Sequence, residues 1–431
     1  MRPAMTNRIN RIQQILRSRI FRSRVLNARA VRSRISCGIC LCVIAALMVS
    51  LSPLSEAAAP ELTAKSAILI DAETGQVLYE KDPDTRLAPA SITKVMTMLL
   101  AMEAVEAGKV SFDDMVVTST AASKIGGSQI WLMEGEEMKF EDMLKAVAIV
   151  SANDAAFALA EHIAGTEADF VRLMNEKAKD LNMKNTHFQN SDGLPASDHY
   201  SSARDISIMS RELIMKHPKI LEWTSTWTDW LQRLHPKAKQ KESFLRNTNE
   251  LVIKYPGADG LKTGMTNDAG FCLSATAKKN DTRFIAVVMA LPSNDERLND
   301  TTKLLNYGFR EFDRVVLATK GKNVGSVRIP NGRQEMVVAG VDKDYAVFVD
   351  KGKMDLIRTE FVSDECKAPI KQGERVGQVV VSLEDKEIAR VNVVSTEDVP
   401  RAGFFTVLSR GIRDFFRGLF RRAIPQHEIS L

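Results

Sequence analysis

Three short groups of residues carry chemistry in this 431-residue chain. The first is Ser91-Ile92-Thr93-Lys94, a hydroxyl and an amine three positions apart. On a helix those positions share one face, so Lys94 stands beside Ser91 as a base stands beside a nucleophile. The second is Ser151-Ala152-Asn153, 60 residues on, and the third is Lys262-Thr263-Gly264, 109 residues after Asn153. Each alone reads equally well as ordinary structure: a helix cap with a solvated lysine, a cap between helices, a polar edge strand. Together, and in this order, they point to nucleophilic serine chemistry.

The elements that must position them are legible in outline. Pro89 suits the lead-in to a helix, and Val95, Met98, Leu99, Met102 and Val105 recur at helical spacing behind it. Ser91 is therefore expected at a helix N-terminus, close to unsatisfied backbone amides. Before it, residues 65–80 alternate as a β-hairpin with its turn at residues 71–75. Phe140, Met143, Leu144, Val147 and Val150 form a second helical stripe ending at Ser151. A further helix over 155–164 stops at Gly165, and turn residues at 190–195 lead to a helix over 206–215. Strands return over 250–290, clearest at 284–289, before a helix over 298–309. From about 315 to 398, short alternating runs separated by glycine turns predict a small all-β domain.

Composition narrows the classes. Apolar content of 45% and charged content of 26% fit a folded soluble protein. The formal charge of +5 is unevenly placed. Residues 1–59 hold ten arginines, no lysine and one acid, a contribution of +9 that leaves −4 for the rest. Nucleic acid is therefore not an expected partner. Cys272 and Cys366 lack zinc-like spacing, the six histidines show no cluster, and neither a metal nor another cofactor is expected. Cys272, in the strand-like run 270–276, reads as a buried thiol.

The two ends address the chain to a compartment. Arginine-rich residues 1–34, an uncharged apolar run over 35–51 and small residues ending at Pro60 describe a secretory signal, with a retained membrane anchor as the other possibility. At the far end, residues 403–422 place Phe404, Phe405, Leu408, Ile412, Phe415, Phe416, Leu419 and Phe420 on one helical side. Arg410, Arg413, Arg417, Arg421 and Arg422 fall on the other. That pattern suits a helix lying in the interface of an anionic membrane; docking on the protein itself or on a partner is the alternative.

With Gly193-Leu194-Pro195, the stretch 199–205 and Arg297 added to the three groups, residues 61–423 resemble the low-molecular-mass penicillin-binding proteins, serine-type D-alanyl-D-alanine carboxypeptidases of the peptidase S11 kind. The resemblance implies an α/β (α+β) penicillin-binding/β-lactamase-like domain, its central antiparallel sheet flanked by helices, then a small all-β domain and a C-terminal amphipathic helix. The division expected is a signal region over 1–59, a catalytic domain over 60–312, the β domain over 313–400, the membrane-surface helix over 401–423 and a tail over 424–431.

The roles implied are specific. Ser91 attacks a carbonyl to form an acyl-enzyme, Lys94 is its base, and Ser151 relays a proton to the leaving amine. A neutral Lys94 requires a pKa lowered by burial and by a neighbouring cation, for which Lys262 is the candidate. Asn153 holds the substrate amide and steadies Lys94, and Lys262, Thr263 and Arg297 take the terminal carboxylate. Gly264 lets the substrate backbone lie along the strand, and the amides of Ser91 and Met265 form the oxyanion hole. The implied substrate is a peptidoglycan stem peptide ending in D-Ala-D-Ala, with β-lactams as covalent inhibitors, acting outside the cytoplasmic membrane. A D,D-endopeptidase or transpeptidase, and a non-catalytic peptidoglycan-binding scaffold, are the competing readings. Class A β-lactamase is disfavoured because no Glu-x-x-Leu-Asn lies between Asn153 and Lys262.

Overall fold

The computed structural model describes residues 59–233, 235–237, 241–420 and 428–429; for 414–420 and 428–429 it describes the backbone only. The signal region, apart from Ala59, and Arg421 and Arg422 lie outside the described residues. Among the described residues no helix is long and apolar enough to cross a membrane.

The hairpin expected over 65–80 is β1 (Ser66–Asp71) and β2 (Val77–Lys81). Three later strands, β7 (Ala258–Thr266), β8 (Gly270–Lys279) and β9 (Thr282–Leu291), complete an antiparallel sheet in the order β2-β1-β9-β8-β7. Chain ends so far apart meet because β1 is buried on both faces and pairs along its whole length with β9. Strand β7, which carries Lys262-Thr263-Gly264, is left as the edge.

Ser91 lies in a single 3-10 turn, Ala90–Thr93, that runs directly into α1 (Lys94–Glu106). The single apolar stripe expected for α1 understates its burial. Met96, Thr97 and Ala101 are buried as well as Val95, Met98, Leu99 and Met102, because the helix sits between the sheet and the other helices. Around it pack α2 (Phe140–Ile149), α3 (Asn153–Ala164), α4 (Glu167–Asp180) and α5 (Ala203–Lys216). On the other face of the sheet lies α6 (Asn294–Glu311), contributing Leu304 and Leu305 to a second core with Leu69, Phe284 and Val288. Helices α3, α5 and α6 each begin two to four residues earlier than the apolar periodicity suggests. Polar first turns hide such starts: the side chains of Ser202 and Ser293 accept from the amides of Asp205 and Glu296 and cap α5 and α6.

Beyond α6 the regular elements up to residue 395 are strands, apart from one 3-10 turn at Met354–Leu356. Two strands, β10 (Phe312–Ala318) and β13 (Tyr345–Asp350), pair with each other, and the rest form one sheet with a valine-rich core. Gln76, in the hairpin turn, ties this region to the first sheet. Its amide donates to the Phe348 carbonyl at 2.7 Å and accepts from the Phe348 amide at 2.8 Å. The Phe348 ring meets the Phe284 ring edge to face, and Arg314 pairs with Glu73 at 2.7 Å.

Helix α7 (Phe404–Phe420) follows the β region. Its faces separate as expected as far as residue 413. Arg410 donates to the carbonyls of Gly332 and Arg333, and both Arg410 and Arg413 pair with Glu335. These two arginines therefore tie the helix to the β region, Arg410 half-buried and Arg413 still exposed. Phe404, Phe405, Leu408 and Ile412 are left exposed.

Candidate active site

Two glycines set the position of the reactive turn. Ala90 holds φ 47°, and its carbonyl oxygen lies where a Cβ on Gly193 would come within 2.0 Å. A Cβ on Gly264 would come within 2.8 Å of the Pro89 oxygen. The Ser91 turn is thus wedged between the 189–194 loop and the edge strand, at distances that only glycine permits. Close approach of the turn accounts for Gly264 without any substrate.

Lys94 is fully buried at the start of α1. Its Nζ lies 3.1 Å from Ser91 Oγ, 2.6 Å from Asn153 Oδ1 and 2.6 Å from the Asp192 carbonyl. Asn153 is held the right way round, because its Nδ2 donates to the Gly126 carbonyl at 2.6 Å. Two of the three Lys94 partners are therefore pure acceptors. An ammonium donates to all three. A neutral amine donates to Asn153 and Asp192 and has its lone pair left for the Ser91 hydroxyl.

Burial pushes Lys94 down to about 8, with Asp192 and Asp154 opposing the shift. Lys262 is held well below the ordinary lysine range, by burial first and then by Lys94 and Arg297. Lys262 donates to the Thr263 carbonyl at 3.0 Å. Arg297 is buried, donates to Asn294 Oδ1 at 2.5 Å and lies over the Phe271 ring at 5.6 Å. Lys94, Lys262 and Arg297 have no carboxylate in ion-pair contact among the described residues. With Lys94 as the neutral base, Lys262 and Arg297, buried near one another with no contacting carboxylate, make a site for an anion.

Ser151 lies two residues before Asn153, and Thr263 and Met265 lie on the same strand as Lys262. Ser151 precedes α3 with φ 66°, and its buried Oγ has no hydrogen-bond partner. Thr263 is buried and shares a 2.7 Å hydrogen bond with Thr248. Met265 is exposed, opposite Phe271 on β8. Cys272 is buried as expected; burial raises its thiol to about 11, so it is inert.

Several contributors had no signal of their own. The Asp192 carbonyl and the Gly126 carbonyl act through backbone, which side-chain patterns do not report. Asp154 accepts from the amides of Ile130 and Leu132 and so shapes the wall beside Asn153. His199 is bound at Nδ1 by the Gln189 amide, which puts its proton on Nε2 toward Thr93 Oγ1 at 2.8 Å. Burial lowers it to about 4, so it is neutral and fully engaged.

This geometry fits acyl transfer, and the comparisons with known proteins decide the family. The D-alanyl-D-alanine carboxypeptidase family matches residues 54–293. The chain belongs to it. Residues 312–401 match the C-terminal domain of penicillin-binding protein 5. The D-alanyl-D-alanine carboxypeptidase DacF of Bacillus subtilis is 43% identical over 354 residues, covering 82% of this chain and 90% of its own. Penicillin-binding protein 5 of Haemophilus influenzae superposes with a TM-score of 0.73 at 32% identity, over 80% of this chain and 99% of its own. Penicillin-binding protein D2 of Listeria monocytogenes in its ampicillin-bound form covers 59% of this chain and all of its own, with a TM-score of 0.53 at 32% identity. The penicillin-binding fold and the carboxypeptidase reading of the sequence stand on these matches.

Proposed function

We propose that this carboxypeptidase-family chain releases the terminal D-alanine from peptidoglycan stem peptides through an acyl-enzyme on Ser91. The observation that carries the reading is the occupancy of Lys94: with Asn153 Oδ1 and the Asp192 carbonyl taking its protons, a neutral Nζ has only Ser91 to accept from. Attack on the scissile carbonyl passes the Ser91 proton to Lys94. The tetrahedral oxyanion is received by the backbone amides of Ser91 and Met265. Ser151, whose hydroxyl is uncommitted, carries a proton to the departing amine. Water then releases the acyl group.

The substrate's free carboxylate neutralises Lys262 and Arg297 and accepts from Thr263. An exopeptidase is favoured over an endopeptidase by this buried, uncompensated positive charge. A β-lactam presents a carboxylate and a strained amide in the same relation, and it acylates Ser91. The catalytic part spans 60–312, the β domain 313–400, and the helix within 401–423 rests on the outer face of the cytoplasmic membrane through its exposed phenylalanines.

Mass spectrometry of the intact protein after brief benzylpenicillin exposure tests the nucleophile, with one adduct expected on Ser91 and none in Ser91→Ala. Release of D-alanine from a pentapeptide separates an enzyme from a scaffold. Adding an amine acceptor separates hydrolysis from transpeptidation, since transfer yields a cross-linked product.

A further inference from the structure

Glu167 opens α4 and reaches the loop that supplies the Asp192 carbonyl to Lys94. Its Oε1 accepts from the Ser191 amide at 3.1 Å and from the Ser191 hydroxyl at 2.8 Å. Ser191 is fully buried, and its carbonyl accepts from Thr97 Oγ1 on α1 at 2.6 Å. Every polar group of Ser191 is therefore committed, two to α4 and one to α1. On the other side of Asp192, the Gly193 amide donates to Asn190 Oδ1 at 2.7 Å. The Asp192 carbonyl lies between these anchors, 2.6 Å from Lys94 Nζ.

No lysine or arginine pairs with Glu167 among the described residues. Burial pushes its carboxyl up, the two Ser191 bonds oppose the rise, and Asp192 and Glu161 add to it. A half-buried carboxylate without a cation is unfavourable, and here the Ser191 bonds offset its cost. Joining two helices does not require it, because α4 and α1 are already tied by Lys177 and Glu103 at 2.6 Å.

We propose that Glu167 is a positioning residue for the base: by holding Ser191 it keeps the Asp192 carbonyl on Lys94, and what it supplies is the reach of an acceptor oxygen, not a negative charge. The carboxylates that bear on Lys94 are those of Asp192 and Asp154, and Lys262 faces it as a second amine. Glu167 acts on it only through the loop. The inference rests on the reading of Lys94 as the base that activates Ser91.

Glu167→Gln and Glu167→Asp in the exported chain separate reach from charge. Glutamine keeps the length without the charge, and aspartate keeps the charge one methylene short. Lys177→Ala cuts the other tie between α4 and α1 and is the control for loosened packing. Acylation by benzylpenicillin is followed across pH 6 to 10, with circular dichroism on each variant. Glu167→Gln keeps the plateau rate of the unaltered protein and its midpoint at about 8. Glu167→Asp lowers the plateau about three- to tenfold, as the loss of one ordered hydrogen bond would. It also moves the midpoint to lower pH, since an ammonium deprived of a carbonyl acceptor gives up its proton more readily. Lys177→Ala changes neither. The proposal is overturned if Glu167→Gln falls as far as Glu167→Asp, or if the plateau of Glu167→Asp holds or its midpoint stays or rises. An equal fall in Lys177→Ala also overturns it and assigns Glu167 to helix packing. If the unaltered protein is not acylated, or its profile is flat, the reading of Ser91 and Lys94 itself has failed.

Discussion

Asn153 Oδ1 lies 2.6 Å from Lys94 Nζ, so the second sequence group fixes the base of the first. The same carboxamide is tied at its other end to Gly126, which prevents it from turning its nitrogen toward the lysine. Neutral Lys94 is thereby presented to Ser91 in one orientation.

Acylation by a β-lactam should follow the titration of Lys94. The rate is expected to rise about tenfold per pH unit below about 8 and to level off above it, as the fraction of neutral amine grows. Lys94→Arg keeps a cation that does not deprotonate, and it should lose about a thousandfold in rate together with the pH dependence. Stopped-flow acylation across pH 6 to 10 is the measurement, and a flat profile in the unaltered protein would exclude Lys94 as the base.

Arg297→Ala should weaken recognition of the free carboxylate. Loss of a charge-assisted contact corresponds to about 1.5–3 kcal/mol, or roughly ten- to a hundredfold in KM. Peptides with an amidated C-terminus serve as the control and should be unaffected. Equal KM changes for both peptide types would remove Arg297 from the substrate site.

Gly193→Ala sets a Cβ against the Ala90 carbonyl at 2.0 Å and adds strain at φ 85°. The Ser91 turn must shift, and a displacement of that order costs about a hundredfold in acylation rate. Fluorescent-penicillin labelling reads this directly, with circular dichroism to confirm that the helices remain. Full labelling speed would mean that the loop yields instead of the turn.

The ion pair of Glu136 and Arg233 is buried beneath the Trp131 loop. Burial raises the Glu136 carboxyl, but the Arg233 and Met133 hydrogen bonds outweigh it and hold the group below its ordinary value of 4.5. A depressed carboxylate gives stability that is present above 4.5 and is lost as pH falls through the lowered value. Glu136→Gln leaves Arg233 uncompensated and should cost about 3–5 kcal/mol in urea denaturation at neutral pH. The variant should also unfold with a shallower acid dependence; equal stability at neutral pH refutes this account.

Truncation after Arg401 removes the face formed by Phe404, Phe405, Leu408 and Ile412. The shortened, signal-free protein should no longer float with vesicles of anionic lipid, while its activity on a soluble peptide stays the same. Flotation that survives truncation would move the membrane contact elsewhere in the chain.

The sequence reveals the site to the extent that side chains build it. Ser91 and Lys94 are legible because a helix puts third neighbours on one face, and Lys262 because Lys-Thr-Gly follows the other two groups in order. The Asp192 carbonyl is not legible, since nothing in a side-chain pattern says where a loop's backbone points. The hairpin of β5 (Thr228–Gln232) and β6 (Glu242–Arg246) has Trp230 and Phe244 exposed on its outer face, so it lacks the polar-out alternation that announces a strand. The chemistry of Ser-x-Asn was equally ambiguous in isolation. Its meaning depends on Asn153 meeting Lys94, a contact made by folding and not by sequence neighbours.

The paired hydrogen bonds of Gln76 with Phe348 have a mechanical consequence. Because one amide both gives and takes at the same strand residue, the β region cannot slide along the hairpin without breaking both bonds. Arg410 clasps the C-terminal helix to that same region. Any swivelling of the greasy side of the last helix away from the first sheet therefore has to break these clasps in turn.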